Sequence, residues 1–234
     1  MPHAIVRAIE NLTPSLFLLK LEAESGLQFK AGQFICVAIP SESKEETAKP
    51  GKGYYSIASG EQDDLVELIV EHREGHLSAW MTGLKKGDTV SFDAPIGKFS
   101  LANPQARTQL FLGLKAGLAP LRSMILTLTK MAPSQHLHLF LGAYGSSELI
   151  LDSQWRALAG RCDKFHYHPV VRPTAENPFF GKNQDPADEL IKKMTRKEGN
   201  DIYLAGFNKE VEPMLAKLEA AGFEKAFIRV ERFG

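Results

Sequence analysis

The chain has 234 residues, enough for one large domain or two small ones, and 44% of them are hydrophobic, which supplies real cores and excludes global disorder. Lys+Arg and Asp+Glu both number 28, and that balance argues against broad nucleic-acid binding, which draws on many uncompensated cations. Two cysteines, Cys36 and Cys162, are too few for a disulfide scaffold or for a protein-held iron–sulfur cluster, so the reducing cytosol is the default compartment. Residues 1–11 lack the apolar run of a signal peptide, and no stretch of about 18 apolar residues offers a membrane span.

In chain order, residues 3–10 and 15–22 read as strands joined by a turn at 11–14. Residues 34–39 form an apolar strand in which Cys36 is a small buried hydrophobe, and 41–52 is a polar surface loop. The stretch Gly53-Tyr54-Tyr55-Ser56-Ile57-Ala58-Ser59 follows. An aromatic and a hydroxyl sit side by side there, suited to stacking on a flat conjugated ring and bonding its polar edge. A strand at 65–70 leads into Gly75-His76-Leu77-Ser78, where Ser78 is the expected N-cap of a short helix over 78–83. Free N–H groups at such a helix start attract a phosphate, although a plain cap needs no ligand. A strand at 89–93 ends at Pro95 and Gly97. Short strands at regular spacing with one small helix predict an antiparallel β-barrel.

After a polar linker at 101–108 the period changes. Strands are expected at 110–114, 136–143, 164–171, 201–206 and 226–232, and helices at 121–131, 147–158, 185–196 and 209–221. Ser146 or Ser147 is the expected cap of the second helix, and Gly222 ends the last. This alternation predicts a Rossmann-like parallel sheet with helices on both faces, whose ligands bind beyond the carboxyl ends of the strands. The turn at 113–120 and the loops after Ala143 and Ala205 should share that edge. The expected domains are 1–103 and 104–234, with a cleft between them.

The ordered motifs resemble the ferredoxin–NADP reductase superfamily over nearly the whole chain. The family's Arg-x-Tyr-Ser falls on Gly53-Tyr54-Tyr55-Ser56, and its Gly-x-x-Ser phosphate turn on Gly75-His76-Leu77-Ser78. Pro95-Ile96-Gly97-Lys98-Phe99 is similar to the family's Pro-x-Gly-x-Phe, and Leu114-Lys115-Ala116-Gly117-Leu118-Ala119-Pro120 aligns with Gly-Gly-Thr-Gly-x-x-Pro. Arg122-Ser123 fits the continuation, Ala205-Gly206-Phe207 stands at the family's Cys-Gly-Pro, and Val230-Glu231-Arg232-Phe233 resembles its Glu-x-Phe ending. The resemblance implies an FAD-binding barrel, an NAD(P)-binding α/β domain, and electron transfer between NAD(P)H and a separate ferredoxin, flavodoxin or other redox protein. FMN in place of FAD stays open.

By the same resemblance, Tyr55 stacks on the flavin, and Ser56 contacts its N5 atom and joins Glu231 as a catalytic residue. Gly53, Tyr54, Ile57, Val70, Glu71, His72, Gly75, His76, Leu77 and Ser78 then surround the flavin. Lys115, Ala116, Gly117, Ala205 and Gly206 meet the nicotinamide, and Phe233 covers the flavin face. The departures all fall at ligand positions. Gly53 replaces the arginine that holds the flavin phosphate, a charge-assisted contact worth about 1.5–3 kcal/mol, for which Lys49, Lys52 or Lys98 are the available point charges. Leu114 and Lys115 replace paired glycines, Ala116 a threonine, and Ala205 the cysteine facing the nicotinamide. Two further readings therefore stand beside the first: a flavin-binding carrier or regulator with little nicotinamide activity, and a non-redox member of the family. No arginine directly follows Ala143, so selectivity for the extra phosphate of NADP is not apparent. His136/His138 and His166/His168 have the same-face spacing of strands, but no neighbouring cysteine or carboxylate completes a metal site, and ordinary strand histidines are the better reading.

Overall fold

The computed structural model describes residues 1–40, 51–72, 74–93, 95–102, 108–131, 134–171 and 185–234, without the side chains of His76 and Ser78. Of the expected loop over 41–52, positions 41–50 with Lys49 lie outside the described residues, as do linker positions 103–107 and Arg172, while Gly51 and Lys52 already belong to a strand.

The first sheet contains β1 (His3–Thr13), β2 (Leu16–Ala23), β3 (Phe34–Ile39), β4 (Gly51–Ser56), β5 (Val66–Glu71) and β6 (Thr89–Phe92), in the order β4-β3-β6-β1-β2-β5. Every pairing within it is antiparallel. Its two edges meet just beyond β4, where Ile57 bridges Leu68 and the Ala58 N–H donates to the Glu67 carbonyl at 2.7 Å. The sheet thus rolls toward the expected barrel, its edges joined by an isolated bridge rather than by a continuous strand ladder. Helix α1 (His76–Gly83) lies between β5 and β6.

The alternation of β2 explains its continuous apolar run. Phe17, Leu19 and Leu21 point into the barrel with Val66, Leu68 and Val70 of β5. Leu16 and Leu18, with Ile69, join a second core that reaches into the following domain. Strands buried on both faces lose the polar half of their pattern.

The second sheet is parallel, in the order β11-β10-β7-β8-β9. It comprises β7 (Thr108–Leu114), β8 (Leu137–Ala143), β9 (Phe165–Val171), β10 (Asn200–Phe207) and β11 (Ile228–Phe233). Helices α2 (Leu118–Met131) and α3 (Asp152–Arg161) cover one face, where Phe111, Leu139, Leu128 and Trp155 meet barrel residues Ala58 and Phe99 in one core. Helices α4 (Pro186–Lys193) and α5 (Asn208–Ala220) cover the other over Leu112, Phe140 and Leu204. Strand order reverses between β7 and β10, so the carboxyl ends of those two strands open a crevice at the switch point.

Three helix starts differ from expectation. Helix α1 begins at His76, after Gly75 with φ 118°, so Ser78 lies inside the helix rather than capping it. Ser146 and Ser147 fall in a one-turn 3-10 helix, and α3 starts only after Leu151 at φ 58°, with no side-chain cap. Burial of Ile150 holds the intervening segment against the core. Helix α2 starts three residues early because Pro120 occupies its first turn, where a missing N–H costs nothing. The α4 cap is well formed: Asp185 accepts from the Ala187 and Asp188 N–H groups, Asp188 returns the bond, and Lys217 pairs with both carboxylates at 2.7 Å.

Candidate cofactor cleft

A cleft of about 760 Å³ opens where the barrel meets the switch point of the second sheet. Clefts of roughly 300–1,000 Å³ are the size class of small-molecule sites. Strand β4 lines one wall with Lys52, Gly53, Tyr54, Tyr55 and Ser56, beside Phe34 of β3 and Ile69 and Glu71 of β5. Glu74, Gly75 and Leu77 at the start of α1 close one end. Ala116, Ala119, Phe207 and the strand-end residues Glu231, Arg232, Phe233 and Gly234 form the opposite wall.

Tyr55 is half-buried, and burial pushes its phenol pKa upward. Its ring lies back over Gly53: a Cβ at position 53 would stand 2.6 Å from Tyr55 Cε2. The glycine therefore does more than remove a guanidinium, because it clears the space the tyrosine occupies. Tyr54 is 65% exposed and meets Phe34 edge-to-face at 5.9 Å. Gly75, at φ 118° with no atom near its Cβ direction, leaves the backbone at the α1 N-terminus open to approach. Lys52 is the cleft-lining cation on β4, and its ammonium stands 3.9 Å from Asp93.

Next to the opposite wall but outside the cleft lining, as Gly117 is, Lys115 holds φ 49°, the left-handed region that a glycine occupies without penalty. Its ammonium lies 3.9 Å from Glu71 of the barrel and 5.3 Å from the Tyr144 ring centre. Gly117 admits no side chain, since its Cβ would lie 2.2 Å from the Ala205 carbonyl oxygen. The turn and β10 thus press backbone to backbone. Glu231 is half-buried, and burial raises its carboxyl pKa above the usual range. Phe233 packs edge-to-face on Phe207 at 5.6 Å. Behind this wall Glu210 is buried at the α5 start, with its pKa raised by burial.

The remaining sequence candidates sit apart from the cleft lining. Ile57 and Val70 point into the barrel core. His72 lines a separate small cavity with Ile9, Asn11 and Thr13. Ala205 is fully buried in the shared core, and Gly206 lies over the Glu210 carboxylate.

Sequence reasoning missed Phe34, Ile69 and the role of Arg122. Strand alternation offered a signal for Ile69, which shares its face with Glu71 and not with Val70. Arg122 of α2 is buried, and its guanidinium donates to the Ala58 carbonyl at 2.7 Å and to Glu67 Oε2 at 2.6 Å. One side chain of the second domain thus grips both sides of the barrel seam.

Comparison with known proteins matches this division. Residues 5–101 match the model of the oxidoreductase FAD-binding domain, and residues 116–217 that of the oxidoreductase NAD-binding domain. The chain belongs to the ferredoxin–NADP reductase superfamily. As in other members of that superfamily, an FAD-binding barrel precedes an NAD-binding parallel sheet. Among its relatives is the reductase component DmpP of phenol 2-monooxygenase from Pseudomonas sp. strain CF600, 28% identical over 99% of this chain and 65% of that protein. Ferredoxin–NADP reductase B of Sorangium cellulosum is 26% identical over 97% of this chain and 95% of its own length. In fold, the chain superimposes on the Amycolatopsis cytochrome P450 reductase GcoB with a TM-score of 0.85 at 22% identity, covering 99% of this chain and 69% of that one. The chain thus spans about two thirds of the oxygenase-reductase relatives it matches. Among the described residues no helix is long and apolar enough to cross a membrane.

Proposed function

We propose that this chain is an FAD-dependent NAD(P)H oxidoreductase that hands electrons to a separate redox protein in the cytoplasm, with residues 1–103 holding FAD and 104–234 holding the nicotinamide nucleotide. The observation that carries the reading is the cleft itself, where Tyr55 and Ser56 share one cavity with Ala116, Glu231 and Phe233 from the other domain. Relatives named as reductase components support a protein acceptor.

The lining fits a flavin at its ring end, with an aromatic, a hydroxyl and apolar walls in place. At the phosphate end it offers backbone N–H groups of α1 and the ammonium of Lys52. When bound, the flavin supplies hydride and electron transfer that no side chain here can perform. Tyr55 would stack against the ring and Ser56 would donate at its N5 edge. Phe233, on the other wall of the cleft, would cover the ring. Glu231, whose burial favours the protonated carboxyl, steadies the nicotinamide or holds a proton beside it.

A second reading, a flavin carrier with little nicotinamide activity, is favoured by one observation. Lys115 occupies the expected nicotinamide turn, and its side chain is engaged with Glu71 across the domain boundary. A visible absorption spectrum of the purified chain, followed by anaerobic addition of NADH or NADPH, tests both. Flavin absorbance that bleaches within minutes is the expected result. Colour without bleaching selects the carrier. A colourless protein that stays empty when soaked with excess FAD overturns the proposal.

A further inference from the structure

Four of the seven histidines of the chain converge on the edge of the second sheet, and none of the four lines the cleft. Strands β8 and β9 pair in parallel with His138 opposite His166 and Phe140 opposite His168. His136 Nδ1 stands 3.2 Å from His166 Nε2, and His138 Nδ1 3.1 Å from His168 Nε2. The His138 and His166 ring centres are 4.4 Å apart, and Phe140 stacks on His168 at 4.4 Å to end the row on its inner side. His136, at the outer end, is exposed.

We propose that this ladder binds one borderline divalent transition-metal ion of the zinc, nickel and copper(II) class, with His136, His138 and His166 as its ligands. One ring nitrogen from each of the three already lies within 4.8 Å of the others. Nitrogens bound to a tetrahedral ion at about 2.0–2.1 Å are separated by about 3.3–3.4 Å, close to the 3.2 Å between His136 and His166. The widest spacing has to close by at most about 1.5 Å, within reach of ring rotation at the exposed end of the row.

His168 holds one nitrogen of His138 and leaves the other for the ion, the arrangement by which an outer partner fixes the tautomer and orientation of a metal-bound imidazole. A set made only of imidazoles selects this class of metal over magnesium or calcium, which take oxygen ligands. Three protein ligands leave a fourth tetrahedral position for water. The charged groups facing the ladder are Lys164, whose ammonium lies 3.3 Å from His136 Nε2, and Lys193 and Glu189 of α4. Glu189 and Lys193 pair with each other at 3.4 Å, so Lys164 is the cation that has to swing away on binding. Bound metal would tie the edge strand β9 to β8.

The test is calorimetric titration of the full chain, purified without a histidine tag and stripped with chelator, with zinc chloride. Cobalt(II) absorption on the same sample reports the geometry. One zinc per chain at about 10 μM or tighter is expected, with a tetrahedral cobalt spectrum and a raised thermal midpoint. His136→Ala, at an exposed position, and His166→Gln should each weaken zinc binding at least about tenfold. His3→Ala, at a histidine that bonds Ser91 in the barrel, should leave it unchanged. No binding up to about 1 mM zinc, or an affinity indifferent to both ladder variants, overturns the proposal. Neither readout depends on flavin or nicotinamide.

Discussion

Replacing Arg122 with methionine removes the guanidinium that holds the barrel seam while keeping most of the side-chain volume. Two charge-assisted bonds are lost, to the Ala58 carbonyl and to the Glu67 carboxylate, between side chains only 9% and 14% exposed. Breaking one partner of such a buried pair costs about 3–5 kcal/mol, because the other charge stays buried. Lys20 stands 3.6 Å from Glu67 and relieves part of that charge, which places the cost near the lower bound, about 3 kcal/mol. For a chain of this length that lowers the thermal midpoint by about 6–12 °C. Urea unfolding followed by circular dichroism measures it. The double variant with Glu67→Gln should recover part of the loss, giving a coupling energy above about 1 kcal/mol. A single-variant loss below about 1 kcal/mol, or additivity of the two changes, would refute the reasoning.

Three further outcomes are expected. Gly53→Arg supplies a phosphate partner worth about 1.5–3 kcal/mol but has to push the Tyr55 ring aside, at about 0.5–1.5 kcal/mol, so FAD binding should tighten by about tenfold at mid-range and by roughly seventyfold at most. Fluorescence titration with FAD checks this, and weaker binding would show that the tyrosine cannot move. Gly117→Ala drives a methyl into the Ala205 carbonyl and should destabilise at or beyond the upper end of about 1–3 kcal/mol, read by the same urea assay; a neutral result would mean the turn yields freely. Acid should also weaken the fold from an unusually high pH. Burial first, then neighbouring charges, holds His138 down to about 3 and His168 to about 4, while the unfolded chain takes up those protons near 6.5. Stability is therefore full above about pH 6.5 and is lost as pH falls through about 4 for His168 and toward about 3 for His138. The urea midpoint should fall between about pH 7 and pH 5, and His138→Leu should flatten that slope.

The strand at 34–39 was readable to the residue because an apolar run followed a glycine turn. Both sheets followed from period and alternation. Helix starts were less legible: Gly75 and Leu151 set them through backbone conformation, where serine side chains looked like the obvious caps. Within the cleft, the motif at 53–56 falls on a strand of the lining, and alternation alone puts Glu71 and Ile69 on the cleft side while Val70 faces the barrel. Gly53 read as a lost charge, and only the packed ring of Tyr55 reveals its steric use. The histidine pairs lie thirty positions apart along the chain, and their meeting depends on parallel register, which no local pattern encodes.

The junction between Ile57 and Leu68 gives the barrel a zipper whose last tooth sits two positions along the chain from the cleft-lining Tyr55. A parting there would shift the Tyr55 side of the cleft and release the Ala58 and Glu67 groups that Arg122 holds. Deuterium uptake at the Ala58 amide should consequently track cofactor dissociation, so retention of the flavin becomes a property of barrel breathing as much as of the contacts made to the ring.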